Sequence, residues 1–124
     1  MRDLLNDTEL DPAAASFMAH GLRALAHLDG LHTSELALVE EFERSMGVPP
    51  GDPKKFDATD GGPLVNDAQK EAFFRTLQLM ALADGRVSSR ESEWMAKVAA
   101  DLGIDAARQA TLAVDARKYM LISL

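Results

Sequence analysis

Four carboxylates, Asp29, Glu35, Asp84 and Glu91, sit in two similar settings. The segment LRALAHLDG ends at Gly30 and LQLMALADG ends at Gly85, and a glutamate comes a few residues after each Asp-Gly. Both stretches then run on through an apolar helical pattern to Gly47-Val48 or Gly103-Ile104. This spacing predicts two copies of one helix-turn-helix unit. On a helical wheel Met18, Leu22, Leu25 and Asp29 share one stripe, and Phe73, Leu77, Met80 and Asp84 repeat it. The next helix in each copy places Glu35 with Val39, Phe42 and Met46, and Glu91 with Met95, Val98 and Leu102. All four carboxylates are thus expected to point inward at a turn. An aspartate at a helix C-terminus opposes the helix dipole by up to about 1 kcal/mol, and a desolvated carboxylate costs several more. Backbone N–H groups, a basic side chain, a shared proton or a bound cation would each compensate.

The elements that must hold these residues are legible from helix punctuation. Asp11 before Pro12 reads as N-cap and first helical position of a helix ending near Leu28 or Asp29. A second helix is expected from about Thr33 to Met46, stopped by Gly47. Asn66 with Gln69, and Ser88 with Glu91, resemble capping boxes opening a third helix to about Ala83 and a fourth that ends before Gly103. Asp105 can cap a fifth, running toward the C-terminus. No segment alternates as a strand would, so the expected class is all-α, a single helical bundle of about five helices. Its organisation would be one repeat over about 12–48, a linker over 48–65, a second repeat over about 66–104 and a C-terminal helix over about 105–124. The linker, with four prolines and three glycines, is expected to be a long surface loop, with Lys54, Lys55 and Phe56 as an ordinary part of it or a partner contact.

Composition restricts the function. At 124 residues and 47% apolar content the chain can bury one sizeable core. It has no cysteine, which removes disulfides, thiolate metal sites and thiol nucleophiles and fits a cytoplasmic setting. No stretch approaches the roughly 18 apolar residues of a membrane span. Residues 1–62 carry 12 Asp/Glu against 5 Lys/Arg, whereas residues 63–124 carry 8 of each. An acidic first half argues against nucleic acid, which needs clustered cations, and favours a cation or a basic protein surface.

Each motif also has a competing reading grounded in the same chemistry. A capping box alone accounts for Glu91, helix-dipole contact for Glu35, and tight turns with positive φ at Gly30 and Gly85 for Asp29 and Asp84. An EF-hand is excluded on ligand count. Aligned on Glu91 as the terminal ligand, its first positions fall on Met80 and Leu82, and in the first copy the terminal position falls on Leu36. His20, Arg23 and His27 lie opposite the stripe leading to Asp29 and are expected to form a solvated face. His32, inside the first turn, would favour a transition metal if it joined the carboxylates. Arg86 and Arg90 flank the second turn and could neutralise it without a metal. Trp94 and Phe17, Phe42, Phe73 and Phe74 are expected in the core, and the apolar end from Tyr119 to Leu124 packed back on it.

Ala83, Asp84, Gly85 and Glu91, with the apolar helix before them and Gly-Ile after, resemble the TerB-like family of tellurite-resistance-associated helical domains. The resemblance runs from about Ala13 to Leu124; the first copy departs from it in having Leu28 before the Asp and one residue fewer before the Glu. It implies an all-α bundle with pseudo-twofold repeats and a divalent metal ion held by Asp29, Glu35, Asp84 and Glu91. It further implies a stress-associated role exercised through a protein partner near the bacterial inner membrane, without insertion of this chain into it. No phosphate-binding glycine loop, nucleophile elbow or HExxH is present, so no enzyme is expected. Two readings remain: a cation-binding module, and a metal-free helical interaction scaffold in which the same carboxylates cap helices and fix turns.

Overall fold

A computed structural model describes residues 11–28, 33–64, 66–83 and 87–123, with side chains for all of these except 60 and 119–123. Among the described residues there are five α-helices: α1 (Pro12–Ala26), α2 (Thr33–Met46), α3 (Asp67–Leu82), α4 (Ser89–Leu102) and α5 (Ala106–Ser123). Apart from a single β-bridge position at Leu28, they contain no β-strand, and the chain is all-α. No helix among them is long and apolar enough to cross a membrane.

The caps match the sequence closely because each satisfies orphan backbone groups locally. Asp11 accepts from the Ala14 N–H at 2.8 Å, with Pro12 at the first helical position. Asn66 accepts from Gln69 N–H and Asp105 from Arg108 N–H, both at 2.8 Å. α2 and α4 end alike. Gly47 and Gly103 take φ of +68° and +76°, and the N–H groups of Val48 and Ile104 reach back to the carbonyls of Glu43 and Ala99 at 3.1 and 2.9 Å. That arrangement needs a left-handed residue, which glycine adopts without steric cost.

One core collects side chains from all five helices, including Met18, Leu22, Phe42, Phe73, Leu77, Met95 and Leu112. The expected stripes are buried, with Met18, Leu22 and Leu25 on α1 and Phe73, Leu77 and Met80 on α3 all at 1% exposure or less. Phe17, Phe42, Phe73 and Phe74 are buried as expected, and Trp94 packs against the core while half-buried.

The segment between α2 and α3 differs from the surface loop expected of it. It forms two short 3-10 turns, Pro53–Lys55 and Thr59–Gly61, that lie against α1 and α4, and it buries Ala58 and Leu64. Phe56 turns inward. Its ring lies 5.0 Å from Phe17, 5.8 Å from Phe73 and 5.5 Å from Trp94. Gly21 makes room for this cluster, since a Cβ there would collide with the Phe73 and Phe56 rings. Prolines and glycines hide the burial of such a strap from periodicity, because its contacts are single residues rather than a face.

Candidate functional site

The two glutamates of the expected acidic site occupy the first turns of α2 and α4. Glu35 is 1% exposed and Glu91 4% exposed, so both side chains point inward as the helical phase predicts. A carboxylate in the first turn of a helix faces the positive end of the dipole and free N–H groups, which offsets part of its desolvation.

Ser88 caps α4 and forms a reciprocal box with Glu91: the Glu91 N–H donates to Ser88 Oγ at 3.1 Å, and the Ser88 N–H donates to Glu91 Oε1 at 2.9 Å. This geometry accounts for the inward position of Glu91 and leaves its second oxygen for another contact. Glu35 is the third residue of α2, and the position before Thr33 lies outside the described residues.

The end of α1 and the start of α4 are linked by one hydrogen bond. Arg90, on the first turn of α4, donates from Nη1 to the carbonyl oxygen of Leu28 at 3.4 Å, across a separation of 62 residues. Leu28 directly precedes Asp29, and Arg90 directly precedes Glu91. Leu28 and Val87 both pack against the core beside this junction. Asp29 and Asp84, and with them His32 and Arg86, lie outside the described residues. Among the described residues, no group of three or more His, Asp and Glu side chains is gathered closely enough to hold a metal ion.

A second polar site escaped the sequence reading. His20 and Arg23 are half-buried and engaged with other residues, which corrects the expectation of a solvated face. Arg23 forms a forked pair with Glu43 of α2, Nε to Oε2 at 3.0 Å and Nη2 to Oε1 at 2.8 Å, with the side chains only 17% and 7% exposed. Those hydrogen bonds raise the Arg23 pKa above its ordinary value, against an opposing effect of burial; the charges of Glu43 and Glu40 add to the rise. Glu43 Oε2 also accepts the Gly51 N–H at 2.7 Å, and the Asp52 N–H donates to His20 Nδ1 at 2.8 Å. Gly51 sits directly on the α1 backbone, where a Cβ would overlap the Ala19 carbonyl. The pair and the histidine therefore fasten the strap. One signal was available: Glu43 comes four residues after Val39, which places it on the flank of the buried stripe.

A third polar group lies where α3 begins and α4 turns into α5. Arg108 grips Glu71 in a similar fork, at 2.7 and 2.5 Å, but with side chains 44% and 23% exposed. The hydrogen bonds from Arg108 hold the Glu71 carboxyl below its ordinary value. These two residues border a cleft of about 170 Å³ with Asp67, Lys70, Ile104 and Asp105, in which the charges of both signs are intermixed.

No family model, curated protein or solved structure matches this chain. The functional reading therefore rests on its own residues.

Proposed function

We propose that this chain is a TerB-like helical module that binds a divalent cation at its paired Asp-Gly turns, through Asp29, Glu35, Asp84 and Glu91, and acts on a protein partner rather than on a substrate. The observation that supports this reading is the burial of Glu35 and Glu91 in the first turns of α2 and α4, with Arg90, beside Glu91, donating to the carbonyl of Leu28, beside Asp29. Burying two carboxylates costs several kcal/mol unless positive charge or N–H donors compensate, and a divalent ion supplies more charge than a single guanidinium. Four carboxylates form a hard oxygen donor set suited to magnesium, calcium or manganese; a nitrogen from His32 would move the preference toward zinc.

The metal-free scaffold is the second reading, favoured by the capping box at Ser88 and Glu91. In it the carboxylates fix turns, and a partner binds the acidic first half.

The two readings separate in a melting experiment after chelation, repeated with magnesium, calcium, manganese and zinc. An ion at 100 times its dissociation constant adds about 2.7 kcal/mol, which for a domain of this size raises Tm on the order of 10 °C. Glu91→Gln preserves the capping box, because glutamine accepts the same N–H, while removing the charge. A large shift with one ion, diminished in Glu91→Gln and abolished in Asp29→Asn/Asp84→Asn, supports the cation site. No shift with any ion, together with unchanged stability of Glu91→Gln, leaves the scaffold.

A further inference from the structure

His20 lies on α1 and His27 caps its C-terminus, and both use Nδ1, yet in opposite senses. His20 Nδ1 meets the Asp52 N–H at 2.8 Å. A backbone amide can only donate, so His20 Nδ1 carries no proton and the ring is neutral with its hydrogen on Nε2. His27 Nδ1 meets the Arg23 carbonyl oxygen at 2.8 Å. A carbonyl can only accept, so His27 Nδ1 is a donor, and it remains one when the ring is protonated. One bond is therefore lost on protonation and the other survives it.

We infer that His20 is a proton-sensitive latch for the strap over 48–64: its neutral ring holds the strap at Asp52, and protonation of that ring releases it there. The position suits the role. Asp52 is the N-cap of the first 3-10 turn, adjacent to Gly51, which rests on α1, and shortly before Phe56, which fills the space among Phe17, Phe73 and Trp94. Loosening at Asp52 thus reaches the aromatic cluster within four residues of chain.

The charged groups around the ring do not replace the lost bond. On α1, Arg23 lies one turn further along and is itself a cation. From α2, Glu43 is committed to Arg23 and to the Gly51 N–H. On the strap, Lys54 and Lys55 are cations, and the Asp52 carboxylate accepts from the Lys54 N–H at 3.0 Å. An imidazolium that turned toward that carboxylate would have to abandon the Asp52 N–H, which is the release itself.

Amide exchange on the full chain between pH 5 and 8, the range in which imidazoles titrate, tests this latch, with protection factors corrected for intrinsic exchange. Asp52 protection should fall about threefold to tenfold as the His20 ring gains its proton, the worth of one ordinary hydrogen bond. His20→Asn places an untitratable acceptor at the Nδ1 position and should keep Asp52 protected throughout. His27→Asn should leave the pH dependence of wild type in place. Trp94, the one tryptophan, gives a parallel fluorescence signal through its contact with Phe56. Constant Asp52 protection while His20 titrates, or a pH dependence that persists in His20→Asn, overturns the inference.

Discussion

The α1–α2 and α3–α4 pairs present the same inward glutamate and glycine stop, yet the chain continues differently beyond that stop. After Gly103-Ile104 the chain enters α5 at once, capped by Asp105. After Gly47-Val48 it must cross 18 residues of strap before α3 begins at Asp67. Aligned on their Asp-Gly motifs, the pairs place Arg23 opposite Gln78, and aligned on their inward glutamates and glycine stops they place Glu43 opposite Ala99. The first pair carries a buried ion pair where the second carries an amide and a methyl group. Fastening a backbone with no helix of its own requires hydrogen-bond acceptors on the helices beneath it, and Glu43 and His20 supply them. A helix such as α5 satisfies its own backbone and needs only apolar contact and a surface clasp.

Glu43→Ala should break this comparison most visibly. It leaves the Arg23 guanidinium mostly buried and removes the acceptor for Gly51, at an expected cost of about 3 kcal/mol in urea unfolding. Replacing Arg23 and Glu43 together by Met and Leu should recover much of that loss, because the desolvation of both charges disappears with them. A cost for Glu43→Ala below about 1 kcal/mol would mean that the strap is held by its aromatic cluster alone.

The glycine stops sharpen the comparison from the other side. Gly47→Ala and Gly103→Ala each force a left-handed residue to carry a Cβ in otherwise open space, so each should cost about 1 kcal/mol, and by similar amounts. A markedly larger loss at Gly47 would show that the strap depends on the geometry of that stop.

Arg108→Ala should have the smallest effect. Its pair with Glu71 is nearly as well formed as that of Arg23 but half-exposed, and solvent screening leaves such pairs a small contribution. Because Arg108 lowers the Glu71 pKa from its ordinary 4.5, the pair's contribution is fully present above that value and is lost as pH falls through the lower folded one. The stabilities of wild type and Arg108→Ala should therefore converge as pH falls through and below the ordinary carboxylate range. Divergence there would assign Arg108 a packing role instead.

Much of the fold was legible because its signals are local. The N-caps at Asp11, Asn66, Ser88 and Asp105 and the stops at Gly47 and Gly103 are satisfied by backbone groups a few residues away. The inward phase of Glu35 and Glu91 was legible for the same reason, since helical periodicity sets which way a side chain points before anything packs on it. The capping box at Glu91 was visible too, though spacing could not say whether cap or ligand explains the residue.

The strap and its fastening were not legible. His20, Arg23 and Phe56 looked like surface residues because nothing near them in sequence covers them. What the sequence determined by itself is the helices, their ends and the faces they bury, all products of hydrogen bonds and periodicity over a few residues. Tertiary structure decided that Arg90 at the start of α4 would reach Leu28 at the end of α1, and that Gly51 and Asp52 would settle on α1. Those contacts join residues 8 to 62 positions apart, and only the packing of the helices brings their donors to their acceptors.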